Sequence, residues 1–219
     1  MGKPDIIYED NDIIVCYKPA GIATQTRRIG QQDMESFIRN YRAAKNEPPY
    51  VGIVHRLDQP VEGVMVFAKN QKAAASLSRQ IKEHTTEKYY RAASRGHGVS
   101  GADKKEDNHD PAWHTLTDYI SFDKRTNTSK ITSEKDRLAK KAVLQYRILS
   151  NECNKTEFDI KLLTGRHHQI RLQLANIGYP LIGDTKYGGE TAREQLALCS
   201  YKIVFDHPAT GERLTFELP

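Results

Sequence analysis

The sequence predicts an α+β fold: one long, mostly antiparallel sheet with helices packed on it. Three observations predict it. Short runs rich in Val, Ile and aromatic residues recur along the chain and dominate after Tyr89. Only three stretches show the apolar spacing of amphipathic helices. There is neither an internal repeat nor the strand–helix alternation that builds a parallel doubly wound sheet. The 219 residues suit one domain, or two halves sharing a core.

Ile6 to Glu9 and Ile13 to Tyr17 read as a hairpin turned by Asp10-Asn11-Asp12, and Lys18-Pro-Ala-Gly21 ends it. Asp33 is placed to cap a helix running to about Asn46, with Phe37, Ile38 and Tyr41 at helical spacing and Pro48-Pro49 stopping it. Val51 to Val54 and Val64 to Ala68 read as buried strands. A second helix, Gln71 to Glu83, is amphipathic through Ala74, Leu77 and Ile81. Strands follow at Tyr89 to Ser94, Trp113 to Ile120, Ala142 to Leu149 and Phe158 to Leu163. A third helix after Gly165 places Ile170, Leu174 and Ile177 on one face, with Gly178 as its stop. Leu198 to Phe205 and Leu214 to Leu218 close the chain as a hairpin. The polar segments 96–111 and 123–137 are expected to be loop insertions.

Thirty-three Lys and Arg against 28 Asp and Glu leave a net charge of +5, which suits a polyanionic partner without demanding one. Basic residues recur in clusters: Arg27 and Arg28; Arg39, Arg42 and Lys45; Lys82, Lys88, Arg91 and Arg95. Each alone reads as a solvated face; together they suit a surface that follows phosphates. Cys16, Cys153 and Cys199 are scattered and lack metal-ligand spacing, which points to a reducing compartment with Cys16 and Cys199 in the core. The N-terminus lacks a signal-peptide core and no run reaches the ~20 apolar residues of a membrane span. A cytoplasmic protein without a membrane role is expected. Because the first hairpin starts by Ile6, a single domain with no separate upstream RNA-binding domain is expected.

The densest chemistry lies between the strands at 51–54 and 64–68. His55, Arg56 and Asp58 sit on one short loop punctuated by Pro60 and Gly63, a common way for a rigid frame to present reactive groups. Arg56 and Asp58 pairing with each other at the surface is the plain alternative. The residue order favours function. Ile53 to Lys69, IVHRLDQPVEGVMVFAK, resembles the signature of the RluA-type pseudouridine synthases. EKYYRA at Glu87 to Ala92 and KKAVLQY at Lys140 to Tyr146 are similar to two further family strands. LTGRHHQIRLQLANIGYPLIGDTKYGG from Leu163 and the C-terminal segment Leu196 to Pro219 resemble two more family blocks, in the same order, so the likeness spans Tyr8 to Pro219.

That resemblance implies a bent mixed sheet whose halves flank a central catalytic cleft. It also implies an isomerase that turns selected uridines of ribosomal or transfer RNA into pseudouridine. The reaction breaks the bond from uracil nitrogen to ribose and rejoins the base through carbon, with no redox change, so no cofactor and no metal is expected. Asp58 matches the family's catalytic aspartate, either attacking the anomeric carbon or removing a ribose proton. Arg171 matches the arginine that keeps such a carboxylate ionised. Tyr90 matches the residue that stacks on the uracil, while Tyr89, on the opposite strand face, is expected in the core. Arg56 matches the residue that fills the space left by the flipped nucleotide. His55, Arg166 and His168 are weaker candidates for RNA contact. Val61, Glu62, His167 and Gln173 depart from the family pattern and bear on substrate detail.

Two other classes fit parts of the pattern. A glycoside hydrolase could use Asp58 and Glu62 as its carboxylate pair, although a single Trp is few for a sugar site. A catalytically silent RNA-binding protein could keep the basic residues, but would have little use for Asp58, Tyr90 and Arg171 together. RNA is the only partner implied, and nothing demands more than a monomer.

Overall fold

β1 (Asp5–Glu9) and β2 (Ile13–Lys18) pair antiparallel around a tight acidic turn, in which Asp10 Oδ1 accepts the backbone N–H of Asp12 and Ile13. The computed structural model describes residues 4–26, 30–95, 110–152, 155–188 and 194–219. Arg27, Arg28, Cys153 and nearly all of the segment 96–111 lie outside the described residues, as far as side chains are concerned. Two compact units divide the chain: Met1–Lys88 with Ser200–Pro219, and Tyr89–Cys199.

In the first unit β2 pairs antiparallel with β4 (Glu62–Ala68), and β3 (Gly52–Ile53) runs against the end of β4. β10 (Leu198–Asp206) pairs antiparallel with β11 (Arg213–Glu217). Both faces of β2 and β4 are buried, which is why they read as unbroken apolar runs. One face, with Ile13, Val15, Val64 and Val66, packs with Ala73 and Leu77 of α2 (Gln71–Lys82) and with Ile203 and Phe205. Asn70 caps α2 through Ala73 N.

α1 (Met34–Ala44) starts on a capping box in which Asp33 and Ser36 satisfy each other's backbone N–H. Its buried stripe is Met34, Ile38 and Arg42 rather than Phe37, Ile38 and Tyr41. Arg42 belongs inside because its guanidinium has work there: Nη1 donates to Lys69 O at 2.8 Å and to Tyr50 O, and Nε to Glu47. Glu9, Lys45 and Lys69 join that network.

In the second unit the strand order is β5 (Glu87–Ser94), β9 (Lys155–Leu162), β8 (Lys140–Glu152), β6 (Asp110–Asp123) and β7 (Thr128–Thr132), all antiparallel. β7 corrects the expectation of a loop over 123–137. Its TSKIT sequence is polar, but an edge strand paired only to β6 needs little apolar content. α3 (Gln169–Asn176) begins four residues after Gly165 and ends at Gly178, whose φ is +86°. Cys16 is buried as expected and burial pushes its thiol up to about 12, whereas Cys199 is only half-buried. The fold is α+β, and no helix among the described residues is long and apolar enough to cross a membrane.

Candidate active site

The first unit supplies the loop between β3 and β4. Three attachments fix it. At its start, His55 Nε2 accepts the N–H of Val66 in β4 at 3.1 Å. In its middle, Leu57 is buried and both of its backbone groups bond the hydroxyl of buried Thr24, at 2.9 and 3.1 Å. At its turn, Asp58 O accepts Val61 N, Gly21 N donates to Gln59 O and Gln59 Nε2 donates back to Gly21 O. Asp58 is half-buried on this held segment, while Arg56 beside it is exposed and makes no ion pair among the described residues. The surface pairing of Arg56 with Asp58 is therefore not what these residues do.

Beneath the loop lies a residue that patterning did not single out. Lys18 closes β2 and is fully buried. Its ammonium donates to Pro19 O at 3.1 Å, Ile22 O at 2.6 Å and Gln59 O at 3.2 Å, tying the turn after β2 to the Asp58 loop. Burial pulls its pKa down to about 8 against the opposing charges of Asp58 and Glu62. Glu62 opens β4 and accepts the Tyr17 hydroxyl at 2.9 Å. Gly63 follows with φ +134°, and a Cβ there would stand 2.2 Å from Ser200 O, so only glycine fits.

His55, a weaker candidate for RNA contact, holds the loop from within. Burial and the charge of Lys88 push its imidazole down to about 3, so it is neutral at physiological pH and anchors the loop through its acceptor nitrogen.

The second unit supplies Tyr90 and the start of α3. Tyr90 sits on β5 opposite Ile160 and is 6% exposed, whereas Tyr89, opposite Lys161, is half-buried under that lysine's ammonium, 5.3 Å from the ring centre. The expectation that Tyr89 is the core tyrosine is thus reversed. Strand alternation does separate the two, but Tyr90 shares its face with Ala92, Phe158 and Ile160, which form the apolar side.

Arg171, 4% exposed, forks onto fully buried Asp184: Nε to Oδ2 at 2.8 Å and Nη2 to Oδ1 at 2.7 Å. Although burial opposes it, this fork and the N–H groups of Lys186 and Tyr187 hold the Asp184 carboxyl below its usual range. The Tyr187 ring lies against the Arg171 guanidinium at 5.3 Å. Its hydroxyl accepts Ser129 N–H at 2.9 Å and meets His168 Nδ1 at 3.0 Å. His168 is buried with φ +54°, and burial together with Arg171 pushes its ring down to about 3. Like His55, it supports backbone and neighbours in neutral form. Arg166 is half-buried and its Nε donates to Lys141 O. Gln169, buried, accepts the Thr164 hydroxyl and Arg166 N–H, and Gln173 donates to Asp118. Asp184 and Tyr187 stand in the Gly-Asp and Tyr-Gly pairs of the family-like block but were given no role from sequence, and Ser129 was not singled out; a buried arginine calls for a carboxylate, and only the fold shows that Arg171 is buried.

Among the described residues, Asp10, Asp12 and His207 alone bring metal-type ligand atoms together, within 4.8 Å. Those atoms are engaged: Asp10 Oδ2 meets His207 Nε2 and the Tyr8 hydroxyl, and His207 Nδ1 accepts Ala209 and Thr210 N–H. The trio locks two hairpin turns together.

A family model described as RNA pseudouridylate synthase matches residues 12–176. An RNA pseudouridine synthase of Bacillus subtilis is 33% identical over 222 residues, covering 100% of this chain and 69% of that protein. The ribosomal large subunit pseudouridine synthase D of Vibrio cholerae is 33% identical over 236 residues, covering 98% of this chain and 67% of that one. The solved structure of human RNA pseudouridylate synthase domain containing 4 superimposes with a TM-score of 0.76 at 20% identity, covering 98% of this chain and 88% of that chain. At that identity the likeness concerns the fold.

Proposed function

The chain belongs to the RNA pseudouridylate synthase family, and on that premise we propose that it modifies ribosomal RNA with Asp58 as its reacting carboxylate. It is an isomerase acting on RNA; the choice of ribosomal RNA follows the names of relatives such as the Vibrio cholerae enzyme. The observation that carries the assignment to Asp58 is the loop itself. Thr24, His55 and Lys18 fix its backbone from three sides, which is what a carboxylate needs if it is to meet an anomeric carbon in one geometry.

Asp58 acts on the ribose carbon, directly or by removing a ribose proton. The base is released from carbon 1′ through nitrogen, turns, and rejoins through carbon 5, whose proton leaves to solvent while the nitrogen regains one. Tyr90 is proposed to stack on the uracil, Arg171 to favour the ionised carboxylate, and Arg56, exposed and unencumbered, to support the flipped nucleotide. Arg166, half-buried, is a weaker candidate for RNA contact beside His55 and His168. The protein is proposed to work in the cytoplasm as a monomer, without a cofactor. Neither a glycoside hydrolase nor a silent RNA-binding protein draws support from the relatives. Mapping pseudouridines in ribosomal RNA from cells with and without the gene tests the substrate. Loss of a discrete site supports ribosomal RNA; an unchanged ribosomal pattern overturns it.

A further inference from the structure

Outside the segment 123–141, five of the eight described cations of the second unit are neutralised by a carboxylate, Arg171 by Asp184 among them. Arg91 and Arg147 share Asp159, Lys155 pairs with Glu157 and Arg95 with Glu194. The segment 123–141 is different. It holds seven Lys and Arg against three Asp and Glu, a net +4 in a chain whose total is +5. Lys124 and Arg125 sit in the β6–β7 turn, Lys130 on β7, and Lys135, Arg137, Lys140 and Lys141 on the return to β8 and its first residues; all are exposed. None makes an ion pair among the described residues. The three acids of the segment leave that net charge standing: Glu134 accepts the Tyr119 hydroxyl at 2.6 Å, Asp136 accepts Leu138 N, and Asp123, which feels the charge of Lys130, accepts Arg125 N.

A lysine on an edge strand serves to block stray strand pairing. Lys130 alone meets that need on β7, and it leaves the other six unexplained. The segment is also firmly rooted. Ser129 Oγ donates to His167 O at 2.9 Å, Lys186 Nζ donates to Asn127 O at 2.7 Å, and Phe122 lies against His167 with ring centres 4.2 Å apart. Those roots lead into α3 and the Arg171–Tyr187 pair, so charge held on the hairpin is held at a fixed place beside the candidate site residues of this unit. Phe122 is the one aromatic among residues 122–141 and packs against His167, so seven cations stand there beside a single ring, where a segment built to stack successive bases would carry several.

We propose that the β6–β7 hairpin and the turn after it form a phosphate-gripping arm that holds the substrate RNA by its backbone and does not read its bases. The inference rests on the reading of the chain as an RNA synthase and adds to it: the arm sets affinity, and the choice of uridine lies elsewhere.

The test replaces Lys124, Arg125, Lys135 and Arg137 together by Gln. A control replaces Lys72 and Arg79 by Gln; both are exposed on α2 and make no ion pair among the described residues. Dissociation constants are measured for a ribosomal RNA fragment and for an unrelated RNA of equal length across a salt series. Four lost phosphate contacts lower the slope of log affinity against log salt by about 3. Kd rises at least ~10-fold on both RNAs, the control shifts it less than ~2-fold, and the uridine modified at saturating enzyme stays the same. An unchanged slope, or an effect no larger than the control's, overturns the arm. So does a loss confined to the ribosomal fragment, which would mean base reading. Wild-type protein that binds with the steep slope yet makes no pseudouridine would leave the arm standing and sink the enzymatic reading. Wild-type isomerisation combined with an unchanged slope in the variant would do the reverse.

Discussion

Replacing Lys18 by Met separates position from stability. The ammonium satisfies the carbonyls of Pro19, Ile22 and Gln59, but Gln59 O also accepts Gly21 N, so the substitution leaves two carbonyls without their donor. Each orphaned carbonyl costs about 1–3 kcal/mol. Against this stands the strain of holding a charge in the interior. A pKa pulled from 10.5 to about 8 means the folded state disfavours the charged amine by roughly 3 kcal/mol, which Met relieves. The two effects nearly cancel, so urea unfolding at pH 7 should shift by less than about 2 kcal/mol. Turnover should not be spared. With its turn released, the Asp58 loop loses both placement and a nearby positive charge, and a displacement of about 1 Å costs on the order of 100-fold in rate. The pH dependence carries a second signature. Because the folded pKa lies below the unfolded one, wild-type stability rises between about pH 8 and 10.5, while activity falls as the ammonium is lost above about 8. The Met variant should lack both limbs. Single-turnover rates at saturating RNA, with unfolding curves on the same samples, give the answer; a variant turning over at the wild-type rate would refute the positioning argument.

Three further outcomes follow from the same geometry. Arg171→Met should destabilise the protein by about 3–5 kcal/mol, because it strands the fully buried Asp184 carboxylate, and a chemical denaturation midpoint near wild type would contradict that pairing. Glu9, opposed by burial but bonded to Lys45, Lys69 and Tyr41, is held down to about 2, so its contribution is present above pH 4.5 and is lost as pH falls through about 2. Glu9→Gln should thus cost up to ~3 kcal/mol at pH 7 and almost nothing near pH 2, measured by thermal unfolding across that range. Gly63→Ala should cost more than about 2 kcal/mol, since the new Cβ meets Ser200 O in a backbone conformation closed to alanine; an unchanged Tm would remove the close approach.

What could be read from sequence divides along physical lines. The β1–β2 hairpin, the Asp33 cap and α2 were legible because turn chemistry and apolar period agree locally. β7 was not: Thr128 to Thr132 reads as loop, since an edge strand is stabilised by one neighbour and β-branched polar residues suffice. The choice between Tyr89 and Tyr90 turned on which strand face meets Phe158 and Ile160, a register that β5 alone does not contain. Lys18 escaped because apolar patterning treats lysine as an end to burial, and only the fold shows three carbonyls turned inward to receive it. For His55 and His168 the sequence offered only a weak candidacy for RNA contact and said nothing of their protonation. Their burial makes them neutral, and neutrality is a property of the packed site. The proposal for Asp58 and Arg56, by contrast, comes from residue order in one loop, and the structure adds what holds that loop still.

The central claim is that Asp58 drives base isomerisation in RNA. The most direct measurement is release of tritium from carbon 5 of labelled uridines in ribosomal RNA, by wild type and by Asp58→Ala at matched RNA occupancy. Wild type should release tritium without liberating free uracil, and Asp58→Ala should bind the RNA and release none. Tritium release by Asp58→Ala at the wild-type rate, or free base from the wild type, would contradict the account.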